Sequence, residues 1–359
     1  MKASDFDFEL PAELIAQHPP DVRGGSRLLV FERATGRITH TTFDRLPDHL
    51  RPGDLIVLND TRVFPARLLG RRVPTGGAVE CLLVRRLEGA PAIESGEKGQ
   101  PELWEALMHP GQKLKPGARV LFERGDARLA GEVLERHFYG RRTIHLEPLD
   151  ATPVAELIER IGHVPLPPYI HRPEEEADRE RYQTVFARES GSIAAPTAGL
   201  HFTQPLLDEL ASRGVERTVI TLHVGYGTFK PVRVENIDEH EVDPERYSVS
   251  ADAAEALTRA RRERRRIIAV GTTTTRALES LRIENDVVRA GVGETRLFIR
   301  PGHRFQLVSG LVTNFHLPRS SLLILTAAFA GRDEILAVYR EAVRERYRFY
   351  SYGDAMLIL

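Results

Sequence analysis

Several short stretches of this chain gather residue types that chemistry needs. Ser192–Thr203 reads SIAAPTAGLHFT. Small residues around Thr197 line a loop broken by proline and glycine, so backbone can approach a ligand closely. His201 adds an imidazole that titrates near neutrality, and Phe202 adds a stacking ring. The plainer alternative is a structural histidine with satisfied partners. Thr221–Phe229, TLHVGYGTF, alternates like a strand and breaks at Gly225 and Gly227. His223 and Tyr226 are functional candidates if they face a cleft; otherwise the glycines only shape a bulge.

Ile268–Glu279 reads strand, glycine, hydroxyl run and helix, with Thr272, Thr273, Thr274 and Thr275 ahead of Arg276. A helix N-terminus offers unpaired N–H groups and a positive dipole end. The threonines can cap it and present donors to an anion or a ribose, or do no more than cap it. The GxxxxGK[ST] spacing of a phosphate loop is absent. In Leu311–Ser321, LVTNFHLPRSS, Asn314 and His316 alternate and are expected on one side. Asn314 there can read a base edge or hold a turn. Arg259, Arg261, Arg262, Arg264, Arg265 and Arg266 crowd one helix end, reading as a phosphate-binding cluster or as a solvated helix face.

The elements that must position these residues fall into two kinds. DLIVL (Asp54–Leu58) is a short apolar run of the buried-strand type, ending in the polar turn Asn59-Asp60-Thr61-Arg62. Ligands bind at such strand ends in α/β proteins. Pro11–Gln17 reads as a short helix. From Arg62 to about Pro148 the pattern changes to alternating runs, Ala78–Val84, Arg119–Phe122 and Arg142–Leu146, separated by turn residues. That predicts a small β-barrel or sandwich, with Glu88–Pro101 as a hairpin tip. Helical spacing returns at Pro153–Ile161, Asp252–Arg266, Thr275–Leu281 and Asp333–Tyr347, with a strand at Ile267–Val270. The expected fold is an α/β main domain built from both chain ends, 1–61 and 149–359, carrying an inserted antiparallel β-barrel over 62–148.

The chain has 359 residues and a net charge of −1, so bulk attraction to nucleic acid is weak. Its basic residues are nearly all arginine, which suits phosphate recognition or reflects genomic base composition. One cysteine, Cys81, cannot form an internal disulfide, and no Cys/His cluster has metal-ligand spacing. Acidic residues occupy the N-terminus where a signal peptide is apolar, and Leu322–Ala330 is too short to span a bilayer. The expectation is a cytoplasmic protein with no membrane partner and no metal. No HExxH, GxSxG, CxxC or Walker motif is present.

Taken together, Asn59–Arg67 (NDTRVFPAR), Pro165–Ile170 (PLPPYI), Ala195–Phe202 (APTAGLHF), Leu222–Phe229 (LHVGYGTF), Thr313–Pro318 (TNFHLP) and the tail Phe349–Met356 (FYSYGDAM) resemble the S-adenosylmethionine:tRNA ribosyltransferase-isomerases of queuosine biosynthesis. The resemblance runs from Phe6 to the C-terminus. It departs at His240-Glu241-Val242-Asp243-Pro244-Glu245, where the family pattern is His-x-Met-His-Ser-Glu, and at Ser309, where it is acidic; no role is assigned at either place. The resemblance implies transfer of the ribosyl group of S-adenosylmethionine, the co-substrate, to 7-aminomethyl-7-deazaguanine at the tRNA wobble position. Isomerisation gives epoxyqueuosine, and adenine and methionine leave. It implies a tRNA anticodon stem-loop as partner and no metal or redox cofactor; the expected state is a monomer, with an oligomer as the alternative.

The implied chemistry needs a base beside the sulfonium and an acid for adenine. His201, His223 and His316 are candidates without a ranking. Asp60 and Asp354 are candidate partners for the aminomethyl ammonium, and Arg62 and Arg67 for phosphates or the donor's carboxylate. Phe202, Tyr226 and Phe315 are candidate stacking partners. Asn59, Thr197, Gly225, Gly227, Thr272, Thr273, Thr274, Arg276 and Asn314 complete the expected binding set. A donor-independent RNA-binding module and an ordinary methyltransferase are the competing classes.

Overall fold

The computed structural model describes residues 1–87, 99–225, 227 and 232–359, without the Tyr139 side chain. The hairpin tip expected at Glu88–Pro101 thus lies, over 88–98, outside the described residues. Contacts divide the chain into two units. One comprises Met1–Arg62, Pro167–Pro173 and Glu180–Leu359; the other comprises Val63–Leu166 and Glu174–Arg179.

In chain order the strands are β1 (Arg27–Glu32), β2 (Arg37–Thr42), β3 (Leu55–Asn59), β4 (Thr61–Val63), β5 (Arg67–Val73), β6 (Ala78–Leu87), β7 (Glu102–His109), β8 (Arg119–Arg124), β9 (Ala127–Arg136), β10 (Arg141–Pro148), β11 (Glu189–Ser192), β12 (Glu216–Leu222), β13 (Glu245–Val249), β14 (Ile267–Val270), β15 (Ile283–Glu284), β16 (Val287–Val288), β17 (Gly291–Thr295), β18 (Gly310–Asn314) and β19 (Ala355–Ile358). The α-helices are α1 (Val154–Ile161), α2 (Asp178–Arg181), α3 (Gln204–Ser212), α4 (Ala251–Arg262), α5 (Thr272–Glu279), α6 (Ser321–Ala330) and α7 (Arg332–Arg344).

The first unit holds a nine-stranded mixed sheet in the order β17-β13-β12-β3-β14-β18-β19-β1-β2. Its middle, β12-β3-β14-β18, is parallel throughout. Parallel strands are covered on both faces, so they read as continuous apolar runs. Alternate residues serve alternate faces. Leu55, Val57, Ile267, Ala269 and Leu311 enter one core with residues of α4, α5, α6 and α7. Ile56, Leu58, Ile268, Val270 and Val312 enter the other with Phe43, Phe202, Leu206 and Leu210. The C-terminal strand β19 is antiparallel to β18 and parallel to β1.

The second unit is built on a closed six-stranded antiparallel barrel, β10-β7-β6-β5-β8-β9. Leu68, Cys81, Leu83, Ala106, Phe122, Leu129, Val133, Ile144 and Leu146 are all fully buried. Burial raises the Cys81 thiol well above its usual range, so it behaves as a small apolar residue. A Cβ on Gly70 would sit 2.5 Å from the Phe122 ring, so the barrel needs glycine there to fit that ring.

The apolar runs become strands and the α/β-plus-barrel fold class holds. Element ends differ for physical reasons. Pro11–Gln17 makes only a 3-10 turn at Ala12–Leu14. Its backbone pairs elsewhere: Phe349 N donates to Leu14 O, and Ala16 N donates to Phe349 O. The helix expected to reach Arg266 stops at Arg262; Arg264 turns to φ 55°, and Arg265 N donates back to Ala260 O. The Asp333–Tyr347 helix ends in the same way, with Arg346 at φ 54°. Among the described residues no helix is long and apolar enough to cross a membrane.

Phe122 fills the barrel interior with no exposure. Phe122→Ala is expected to lower stability by about 3–5 kcal/mol, read by urea unfolding. A loss under about 1 kcal/mol would mean that the interior collapses around the gap.

Candidate active site

Parallel strands deliver their carboxyl ends to one edge of the sheet, where ligands bind in α/β folds. At that edge lies a cleft of about 500 Å³. Its floor comes from Gly271, Thr272 and Thr273 after β14, and from Thr313, Asn314 and His316 around the end of β18. The loop Ala194–Ala198, with Thr197, forms one wall, and Tyr169, Tyr350 and Ser351 another.

The hydroxyl run works differently from expectation. Gly271, at φ 94°, occupies the N-cap position without a side-chain cap, and α5 starts at Thr272 rather than Thr275. Thr274 and Thr275 donate back to Val270 O and Gly271 O, at 2.6 and 3.1 Å. They are therefore spent on the helix. Thr272 and Thr273 line the cleft beside the first amides of α5, which carry the positive dipole end.

Asn314 is the best-determined polar group of the cleft. Its Nδ2 lies 3.1 Å from both Tyr350 O and His201 Nε2. A carbonyl only accepts, so the nitrogen side of the amide faces it. His201 Nε2 is then an acceptor, and its Nδ1–H donates to Ser26 Oγ at 2.9 Å. Asn314 Oδ1 is left buried with no hydrogen-bond partner among the described residues. Tyr350 sits at φ 75°, where bulky residues are rare. Its N donates to Phe315 O, and its carbonyl also accepts from Gly353 N.

The histidines separate. His201 is 4% exposed, and burial, with Arg348 and Arg23 nearby, pushes its pKa down to about 3. With both nitrogens engaged it supports Asn314 from behind. His316 lines the cleft, and burial lowers its pKa to about 3. Its Nε2 meets Thr313 Oγ1 at 2.9 Å, leaving Nδ1. Because β18 ends at Asn314, His316 leaves the strand alternation; it and Asn314 share the cleft but not a bonding network. His223 lies outside the cleft lining. Its Nδ1 is 2.9 Å from Thr61 Oγ1, and partial burial lowers its pKa.

Asp60 belongs to that neighbouring cluster. Thr221 Oγ1 donates to its Oδ1 at 2.6 Å, and Arg188 Nη2 is 3.0 Å from its Oδ2. That second approach is off hydrogen-bond geometry, so Oδ2 has an ionic neighbour and, among the described residues, no hydrogen bond. Desolvation nevertheless raises the Asp60 pKa.

Other expected site residues turn out to be structural. Asn59 accepts from Leu222 N and Thr61 N and donates to Leu222 O, stitching β3 to β12. Asp354 accepts from Arg27 N and Arg348 N, at 3.0 and 2.8 Å, and brackets the backbone before β1 and β19. Phe202 and Phe315 have no exposure and lie in the two opposite cores. Neither ring can stack on a base; the apolar context of each outweighs its polar loop neighbours. Arg67 pairs with Glu80 on the barrel, and Arg62 is exposed. The arginine cluster is largely neutralised. Arg259 and Arg265 pair with Glu216, Arg261 with Asp286, and Arg266 with Asp54.

Arg276 and Gly227 line a second pocket of about 400 Å³. There Arg276 Nη1 donates to Glu245 Oε2 at 2.5 Å, while Gly225 N donates to Glu245 Oε1. Sequence reasoning missed Glu245, which sits in the departing hexapeptide, and Tyr350, whose signal was the Gly-Asp turn after it. Tyr226 lies outside the described residues. Among those described, no group of His, Cys, Asp and Glu could hold a metal ion.

The model of a family described as "Queuosine biosynthesis protein" matches residues 3–358. The S-adenosylmethionine:tRNA ribosyltransferase-isomerase of Symbiobacterium thermophilum is 54% identical over 361 residues, all of both chains. That of Desulfitobacterium hafniense is 49% identical over 359 residues, again all of both. A crystal structure of the S-adenosylmethionine tRNA ribosyltransferase from Thermotoga maritima, 40% identical, matches with a TM-score of 0.55 over 99% of this chain and 100% of that one.

His201 and His316 are neutral in the fold down to about pH 3, against 6.5 for a free imidazole. The unfolded chain therefore takes up their protons first. Their contribution is complete above pH 6.5 and is lost as pH falls toward 3, at about 1.4 kcal/mol per pH unit for each histidine. Urea unfolding between pH 7 and 4.5 is expected to show this slope, and His316→Gln should remove one share of it. An unchanged slope would mean that His316 is charged in the native state.

Proposed function

The chain belongs to the queuosine biosynthesis protein family, and from that premise we propose that the cleft carries the family reaction. The enzyme transfers the ribosyl moiety of S-adenosylmethionine to 7-aminomethyl-7-deazaguanine at position 34 of a tRNA and isomerises it. The products are epoxyqueuosine-tRNA, adenine and methionine. What carries this reading is identity of about half the residues over the whole chain to ribosyltransferase-isomerases. The working form acts in the cytoplasm on an anticodon stem-loop, as a monomer and without a metal.

The cleft suits the parts of this reaction. Thr272 and Thr273, at the positive end of α5, offer donors to ribosyl oxygens. Asn314 Oδ1 is an acceptor already desolvated and aimed by His201 and Tyr350 O. A substrate N–H relieves the cost of that unmade bond. A base pocket needs such fixed acceptors to read an extruded base.

His316 takes the proton beside the sulfonium. It is the imidazole that lines the cleft, and at working pH it is neutral. The sulfonium acidifies that proton, which eases its transfer to the neutral imidazole. The imidazolium that forms, with its lowered pKa, is a strong acid and hands the proton to the departing adenine. Asp60 and His223 form a separate cluster whose raised carboxyl pKa suits contact with the aminomethyl group.

The test is a product assay with S-adenosylmethionine and a stem-loop carrying 7-aminomethyl-7-deazaguanine. Free adenine, methionine and a heavier RNA are expected. S-adenosylhomocysteine would indicate methyl transfer, and intact donor with bound RNA a binding module. In the same assay His316→Ala is expected to lower kcat by about 10²–10⁴-fold, with a smaller loss for His223→Ala. The reverse order would move the base to His223.

A further inference from the structure

The second pocket has a composition that the reaction centre does not explain. Its lining includes the charged Asp243, Glu245 and Arg276 and the apolar Leu297, Ile299, Leu322 and Leu325. Arg276 is 8% exposed. Its Nε donates to Leu297 O at 3.0 Å and its Nη1 to Glu245 Oε2. Its Nη2 is buried and finds no hydrogen-bond partner among the described residues. A buried guanidinium nitrogen without a partner is costly to keep, so the pocket is short of one acceptor.

The missing acceptor belongs to a particular kind of ligand. A phosphate would lie against the Asp243 and Glu245 carboxylates as well as Arg276. A purely apolar ligand would leave Nη2 unsatisfied. A group with one carboxylate and one ammonium satisfies both signs: the carboxylate takes Arg276 Nη2, and the ammonium takes Asp243 and Glu245. The leucine and isoleucine wall then accommodates a short aliphatic chain.

Helix α5 ties this pocket to the reaction cleft. Thr273 faces the cleft and Arg276 the second pocket. Residues three apart on a helix are neighbours about 5–6 Å apart at Cβ. Leu322 lines both spaces. A ligand with its ribosyl part over Thr272 and Thr273 thus has its other end within reach of Arg276.

Resting on the function proposed above, we infer that this pocket is an α-amino-acid zwitterion subsite that holds the methionyl end of S-adenosylmethionine. Arg276 binds the carboxylate, and Glu245 with Asp243 binds the ammonium. Holding that end fixes the sulfonium at the junction of the two spaces. It also keeps the methionine leaving group apart from the base.

Decarboxylated S-adenosylmethionine tests this on the wild-type enzyme. It keeps the sulfonium and the ribosyl group but lacks the carboxylate. Its KM is expected to exceed that of S-adenosylmethionine by roughly tenfold or more, with kcat largely kept. Arg276→Lys should raise KM for S-adenosylmethionine and leave KM for the decarboxylated compound nearly unchanged. Asp243→Asn, at the half-buried rim, should raise KM for both. Equal KM values for the two donors on wild type, with adenine still released, would overturn the subsite and leave the function standing. No adenine from either donor would remove the function, and the subsite with it.

Discussion

Four parallel strands, three of them buried along their whole length, must end together, and that constraint organises the rest of this protein. β12, β3, β14 and β18 are neighbours in register, so the residues just beyond them are brought to one edge wherever they lie in the sequence. Asn59 and Asp60, His223 and Val224, Gly271 to Thr273, and Asn314 to His316 come from stretches far apart in the chain. The core leaves them no other place. Polar backbone and side chains arriving at that edge must bond to each other, to water or to a ligand.

How each group meets that requirement separates structure from chemistry. Asn59, Asp354, Thr274 and His201 are fully engaged inside the protein. Asn314 Oδ1 and Arg276 Nη2 have no hydrogen-bond partner among the described residues. Both are held by partners on their remaining atoms, so the open atom cannot turn away. These two buried and oriented groups, on α5 and β18, line pockets that share Leu322. A ligand that supplies their partners gains affinity without ordering the protein further.

The sheet was legible in the sequence because two-sided burial leaves an unmistakable trace. DLIVL and IIAV are continuous apolar runs that only a covered strand explains, and the alternation in β10 reports the barrel. The strand order was not legible. That β19 enters between β18 and β1 depends on pairings across most of the chain. At the site the failures share a cause: residue type was read without knowing which atoms were already spoken for. A phenylalanine next to a polar loop looks like a stacking ring until Phe202 and Phe315 are found in the cores. A threonine run looks like a cap until Gly271 takes that position and Thr274 and Thr275 bond back along the helix. His201, His223 and His316 were indistinguishable as letters. Their hydrogen bonds tell them apart.

The arginine cluster shows the same logic at the opposite edge. Asp54 immediately precedes β3, Glu216 opens β12, and Arg266 immediately precedes β14. Arg266 pairs with Asp54, while Arg259 and Arg265 pair with Glu216. These ion pairs clasp the amino ends of adjacent parallel strands. Asp54, 4% exposed, also accepts from Arg51 N, so its charge is doubly held. A buried carboxylate with a bidentate arginine is strongly destabilising to break. Ion pairs thus hold the amino edge of the sheet, where Arg265 Nε and Nη2 are nevertheless buried without a hydrogen-bond partner among the described residues. The cluster, legible in the sequence as a phosphate site or a solvated helix face, ties the amino ends of these strands together.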